Sequence, residues 1–240
     1  MSDEFSRFPH TPHIVWLGRE APRDDKVLSQ VEALNLLAGP VVVEEKLDGA
    51  NLGFSVGPTG ALRAQNRGHY LVEPYKGQFT RLSGWMSQHG AGLATELGEH
   101  LIAFGEWCAA QHSLDYTALP DWWLLFDVYD RRTRKFWSTQ RRDLLARKLH
   151  LATVPRVAVG HQSIESLEDI VASVHSRYRD GPLEGVVVRC ENSDWLVARA
   201  KLVRTDFAQA IAEHWRSRRL QWNHVDWQAS GLGTLFGEAK

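Results

Sequence analysis

Lys46-Leu47-Asp48-Gly49-Ala50-Asn51 follows directly on Val41-Val42-Val43-Glu44-Glu45, and a lysine in that position is a candidate nucleophile. An amine attacks only when neutral. At the end of an apolar, β-branched run, partial burial disfavours the ammonium, and any nearby cation lowers the lysine pKa further. Asp48 and Gly49 turn the chain tightly, and Gly49 carries no Cβ to keep a phosphate from the amine. The same residues would also make a surface turn with a Lys–Asp pair, so this short motif does not decide by itself.

Five further segments offer groups that phosphoryl chemistry needs. Gln65-Asn66-Arg67-Gly68 ends the hairpin that follows the lysine, within reach of a phosphate beside it. Phe104-Gly105-Glu106-Trp107 sets a carboxylate in the middle of an apolar strand, where it must be paired or hydrogen-bonded. A sugar hydroxyl or an internal arginine would serve. Leu125-Phe126-Asp127 supplies a ring that can stack on a base or fill a core. Leu183-Glu184-Gly185 places an acid at the entrance of the apolar run Val186-Val187-Val188, suited to a metal ion, to activating an amine, or to solvent. Arg199-Ala200-Lys201 alternates, so both cations face one side of a strand, an arrangement that suits a triphosphate and would depress the pKa of a neighbouring lysine.

The elements that must position these groups are mixed. A helix is expected over Asp24–Ala38, capped by Asp24, striped by Val27, Val31 and Leu34, and stopped by Gly39-Pro40. Strands are expected at Val41–Leu47, Leu52–Val56, Ala61–Gln65, Leu101–Cys108, Trp122–Tyr129, Phe136-Trp137, Val154–Val159, Gly185–Arg189 and Trp195–Leu202. Helices are expected at Phe79–Gln88, Ala91–Leu97, Thr139–Leu149, Ser163–Tyr178 and Asp206–Arg218. Many strands with irregularly inserted helices indicate an α+β fold of antiparallel sheets rather than an alternating parallel one. The expected organisation is one domain over residues 1–220 and a glycine-bearing tail, 221–240, loosely attached from Trp222 onward.

With 240 residues, 43% of them hydrophobic, the chain can bury a substantial core. A formal net charge of −1 gives no global basic field, so any nucleic-acid contact must be local. Two local sets qualify. Arg131, Arg132, Arg134, Lys135, Arg141, Arg142, Arg147 and Lys148 surround Phe136 and Trp137, while Arg216, Arg218 and Arg219 adjoin Trp215 and Trp222. Two distant cysteines, Cys108 and Cys190, together with the lack of an apolar leader or a long apolar run, lead to the expectation of a cytoplasmic protein without membrane attachment.

Taken in this order, the motifs resemble those of the covalent nucleotidyltransferase superfamily, over roughly Val41 to Arg204. The Lys-Leu-Asp-Gly-Ala-Asn version looks most like the ATP-dependent RNA ligases of the phage RNA ligase 2 group. That resemblance implies an adenylation domain of antiparallel sheets with flanking helices around a nucleotide cleft. It implies ATP and Mg2+ or Mn2+ as cofactors, and RNA ends (a 5′-phosphate and a 3′-hydroxyl) as partners. Lys46 would carry AMP, with Asp48 and Asn51 organising the site and Glu45 and Arg67 contributing to nucleotide binding. Glu106 would hold the ribose, Phe126 would stack on adenine, Glu184 would serve the metal, and Lys201 would bind the α-phosphate. Arg199 stands where many relatives have a first lysine. Few residues follow Arg204 compared with relatives that carry a further C-terminal domain, so the resemblance also implies a built-in grip on RNA or a protein partner that supplies it. A DNA ligase, a capping guanylyltransferase and a non-sealing RNA-end binding subunit remain open alternatives.

Overall fold

The computed structural model describes residues 5–18, 26–205, 207 and 220–226. Two antiparallel sheets make up its body. The first has the order β7-β1-β8-β9, from Arg156–Gly160 (β7), Val41–Lys46 (β1), Gly185–Glu191 (β8) and Leu196–Val203 (β9). Alternation sends Val41, Val43, Val186, Val188, Ala200 and Leu202 to one face, where helices α1 (Gln30–Leu37) and α4 (Ile164–Ser173) cover them with Ala33, Leu36, Leu167 and Val171. The register pairs Glu44 with Val187 and Val187 with Lys201, so Glu44, Lys46, Arg189, Arg199 and Lys201 occupy the opposite face.

The second sheet has the order β3-β2-β4-β5-β6, from Leu62–Gln65 (β3), Ala50–Val56 (β2), Leu101–Trp107 (β4), Trp123–Asp130 (β5) and Lys135–Phe136 (β6). Helices α2 (Leu82–Leu97) and α3 (Thr139–Leu149) close one face over a core rich in aromatics. There Trp85 stacks on Phe54 at 5.1 Å, and Trp123 meets Phe54 edge-on at 5.0 Å. On the other face Phe8, from the N-terminal segment, packs against Ile102 and Phe104. No helix among the described residues is long and apolar enough to cross a membrane.

Several expected boundaries move, each for a tertiary reason. The first helix begins at Gln30, capped by Ser29 in a capping box with Glu32, while Asp24 lies outside the described residues. Its stripe is rotated from the expected one. Ala33 and Leu36 are buried, whereas Val31 and Leu34 are 67% and 57% exposed, and Val27 bridges to His13 instead. The two short helices expected around Gly90 are one helix, because an interior glycine costs only about 1 kcal/mol against the packing of Leu82, Trp85, Leu93 and Leu97.

The fourth helix stops at Ser173 rather than Tyr178, because its continuation is claimed by distant partners. Arg177 N–H donates to Glu45 at 3.0 Å, and the Tyr178 carbonyl accepts from Thr117 and Ala118. The chain from Trp222, expected to hang loosely, is tied down over 221–226: Trp222 bridges to Ala110, Val225 to Leu119, and Asn223 is 3% exposed. The helix expected over Asp206–Arg218, with Arg216, Arg218 and Arg219, lies outside the described residues except for Phe207.

Candidate active site

The Lys46–Asn51 motif is the hinge between the sheets, with Lys46 ending β1 of the first and Asn51 inside β2 of the second. Strand β8 pairs Gly185 with Lys46, which brings the preceding Glu184 alongside. Lys46 Nζ and Glu184 Oε1 are 2.5 Å apart, and the glutamate side chain is 4% exposed. Burial pushes the Glu184 carboxyl up to about 8, against the pull of Lys46. Burial likewise opposes the Lys46 charge, but Glu184, Glu106 and Asp48 together outweigh it and hold the amine above its ordinary value. This reverses the expectation of a depressed lysine. The acids around Lys46 dominate, and they hold the amine as an ammonium.

Gly49 also has a different use from the one expected. A Cβ there would lie 2.6 Å from the Trp107 carbonyl oxygen and 3.0 Å from Glu106 Cγ, so the glycine lets the hinge close onto β4. Its N–H donates to Glu106 Oε1 at 3.0 Å, which supplies a partner for the carboxylate inside the apolar strand. Burial still raises Glu106 to about 7. Asp48 Oδ2 accepts from the backbone N–H groups of Ser113 and Leu114 at 2.7 and 2.8 Å, and Asp48 N–H donates to the Tyr116 hydroxyl at 2.8 Å. Asn51 sits opposite Glu106, and its Oδ1 is buried without a hydrogen-bond partner among the described residues.

Around this corner lies a cleft of ≈ 640 Å³, lined by Lys46, Asn51, Arg67, Glu106, Phe126 and Arg199 among others. Arg67 is exposed on its rim. Phe126 is half-buried, with Phe8 edge-on to it at 5.2 Å, and its carbonyl accepts from Arg142 Nη1 at 2.9 Å. Arg199 is not the free triphosphate clamp expected from its strand position. Its guanidinium pairs with Asp127 and lies over the Phe8 and Phe136 rings at 4.4 Å from each. Lys201 shares its face by register, and its backbone is pinned by Pro12 and Ile14.

Two expected contributors point elsewhere. The Glu45 carboxylate reaches the Arg177 N–H on the far side of β1. Arg142, counted in the cationic stretch, is 1% exposed and bound to Glu44 at 2.7 Å and Asp143 at 2.7 Å. Tyr116, Phe8 and the arginine pairs carried no motif in the sequence, since their roles arise from contacts between segments far apart in the chain.

The donor set suits a hard divalent cation. Glu184 Oε2 is buried without a hydrogen-bond partner among the described residues, beside Glu106 and Asp48. Magnesium-type ions are commonly held by one or two carboxylates plus substrate phosphates, so a fuller protein cage is unnecessary. None is found among the described residues. A cleft of this size, with an aromatic wall, buried carboxylates and an amine at its floor, can hold a nucleotide with its phosphates toward Lys46.

Residues 39–203 match the RNA ligase family. Among solved structures the chain is similar to an archaeal ATP-dependent RNA ligase, with a TM-score of 0.61 and 19% identity over 88% of this chain and 52% of that one. The Naegleria gruberi RNA ligase with PPi gives a TM-score of 0.59 and 16% identity over 87% and 61% of the two chains. A point mutant of that enzyme with ATP and Mn gives 0.58 and 15% over 88% and 63%. These matches establish the fold, and the chain spans roughly half to three fifths of the length of those relatives. No curated protein matches the sequence significantly. With most of its length matched by the family, from the strand before Lys46 through the strand bearing Arg199 and Lys201, the chain belongs to the RNA ligase family.

Proposed function

We propose that the chain is an ATP-dependent RNA ligase working through a lysyl-AMP intermediate, in the manner of the RNA ligase 2 group. The observation that carries this reading is Lys46 Nζ 2.5 Å from a buried glutamate whose second oxygen has no partner among the described residues, at the floor of the cleft. Glu184, in direct contact with Nζ, is the group placed to accept the ammonium proton as the amine engages the α-phosphate of ATP. The N–P bond forms as the bond to pyrophosphate breaks. AMP then passes to an RNA 5′-phosphate, and a 3′-hydroxyl displaces it to close the phosphodiester.

In this reading Phe126 stacks on adenine, Glu106 and Asn51 meet the ribose side, and Arg67 and Lys201 neutralise phosphates. Glu184, with Glu106 and Asp48 nearby, would hold Mg2+ or Mn2+. When bound, that ion supplies Lewis-acid stabilisation of charge on the phosphate oxygens.

Incubation with α-labelled ATP and Mn2+ tests the first step. Wild type should acquire a label that survives denaturation and alkali but is released by prolonged acid treatment, as a phosphoramidate is, and Lys46→Ala should acquire none. A wild type that stays unlabelled would overturn the reading. Labelling from GTP but not ATP would turn it to capping. Sealing of DNA but not RNA nicks would make it a DNA ligase, and label without sealing of any end would make it an end-binding subunit.

A further inference from the structure

The loop that holds Asp48 is itself held from the other side by the segment 221–226. Asn223 is 3% exposed and its side chain is fully engaged by that loop. Its Nδ2 donates to the Cys108 carbonyl at 2.8 Å and to the Ala110 carbonyl at 3.3 Å, and its Oδ1 accepts from Tyr116 N–H at 2.8 Å. Backbone pairs continue the seam: Asn223 N–H to Ala109 O at 3.0 Å, His224 N–H to Tyr116 O at 2.9 Å, and Gln111 N–H to Gln221 O at 2.9 Å. At its edge the Arg81 guanidinium lies between the rings of Trp122 and Trp222, at 4.7 and 4.4 Å.

The loop's opposite side grips the motif. The Tyr116 hydroxyl accepts from Asp48 N–H, and the Ser113 and Leu114 N–H groups donate to its carboxylate. A loop that irregular has no ladder of its own to fix it, so its geometry depends on what it is packed between.

We infer that Asn223 is a positioning residue for Lys46: it fixes the 108–116 loop so that Tyr116 and two backbone N–H groups set the Asp48 turn from which the lysine projects. This rests on the proposed lysyl-AMP chemistry for its kinetic consequence, and on geometry alone for its structural one. No residue of the segment lines the cleft, so its effect on Lys46 runs through Tyr116 and the loop. Misplacing a reacting group by about 1 Å can cost a hundredfold in rate. Removing Asn223 should therefore slow the chemical step more than it weakens ATP.

The test uses the full chain and three proteins: wild type, Asn223→Ala and Tyr116→Phe. Tyr116→Phe keeps the ring and both hydrogen bonds to the 221–226 segment, which use Tyr116 backbone atoms, and removes the hydroxyl that accepts from Asp48 N–H. Amide hydrogen exchange without ATP or metal should rise about tenfold or more at Asp48, Ser113 and Leu114 in Asn223→Ala. Exchange in the core strand Val186–Val188 should be unchanged. At saturating ATP, lysine labelling should slow about ten- to a hundredfold in Asn223→Ala and several-fold in Tyr116→Phe, with the half-saturating ATP concentration moving less than about threefold.

If Asn223→Ala unfolds, Tyr116→Phe decides: labelling and Asp48 exchange at wild-type levels would overturn the inference. It is also overturned if a folded Asn223→Ala labels at the wild-type rate, or if its whole loss lies in ATP affinity. An unlabelled wild type would instead sink the proposed function, while raised exchange at Asp48 would still support the structural coupling.

Discussion

Two clusters of largely buried charge border the cleft. In the first, Arg142, Arg156, Arg189 and Arg199 meet Glu44, Asp127, Asp143 and Glu191, four cations against four acids. Arg189 alone reaches Asp127 at 2.8 Å and Glu191 at 2.7 Å. In the second, Lys46 faces Glu184, Glu106 and Asp48 while Arg67 acts on Glu106 from the rim, two cations against three acids, and oxygens of Glu184 and Asn51 are left without partners among the described residues. Burying charge is costly unless it is paired and hydrogen-bonded. The balanced cluster meets that condition within the protein, and it pins the Phe126 carbonyl through Arg142. The unbalanced corner leaves a deficit of positive charge that a divalent ion and the phosphates it brings can fill. A closed network is scaffold, and an open one is where chemistry enters.

The sharpest way to break this contrast is to remove one cation from each. Arg189→Leu takes from Glu191 its buried cation and leaves Asp127 with Arg199 alone, and should cost about 3–5 kcal/mol of stability in urea denaturation. Lys46→Ala removes a cation from the open corner, where Glu184, already raised to about 8, can stay protonated. Its stability should lie within about 1 kcal/mol of wild type even though labelling is abolished. If the two variants traded places, with Lys46→Ala unfolding and Arg189→Leu unaffected, the division into scaffold and chemistry would be wrong.

A smaller effect is expected at the hinge between the clusters. Gly49→Ala sets a methyl 2.6 Å from the Trp107 carbonyl, a backbone atom that cannot rotate away. Overpacking of this kind should cost about 1–3 kcal/mol, read as a lowered urea midpoint, and should slow lysine labelling as the turn shifts. A variant as stable and as fast as wild type would show that the hinge has slack, and would weaken any argument from the position of Lys46.

The open corner was far more legible in the sequence than the closed one. Lys46, Asp48, Asn51, Glu106 and Glu184 stand in short motifs whose residue types announce their chemistry; the structure lines the cleft with Lys46, Asn51 and Glu106 and sets Glu184 and Asp48 close enough to act on Lys46. Strand alternation also placed Arg199 and Lys201 on one face. It could not show that Asp127 would take Arg199, because that contact joins strands of different sheets, 72 residues apart in the chain. The same limit hid Arg142 inside an apparent basic stretch and Tyr116 beneath Asp48. It also rotated the first helix, whose start was set by the Ser29–Glu32 capping box rather than by an earlier aspartate. The direction of the Lys46 shift was misjudged for a related reason: the cations were visible along β9, while the acids converge from three separate elements.

The least effect, and the most discriminating, is on the pH dependence of stability. Glu184 and Glu106 are raised by burial to about 8 and about 7, against 4.5 for an ordinary glutamate. Between about pH 4.5 and 8 the folded state therefore holds more protons than the unfolded one, and stability falls as pH rises through that window. Lys46, raised above 10.5, contributes stability that is fully present below its unfolded pKa and is lost only at higher pH, outside the window. Glu184→Gln removes the larger carboxyl shift, so the decline in Tm should shrink and end near pH 7, where Glu106 finishes titrating. Mn2+ binds the deprotonated carboxylates, so it should raise the Tm of wild type more at pH 8 than at pH 6, and much less in Glu184→Gln. A wild-type Tm that is flat across the window would mean the acids at Lys46 are not held out of water. A Mn2+ effect equal in both proteins would place the ion away from Glu184, leaving the charge deficit at Lys46 to be met by phosphate alone.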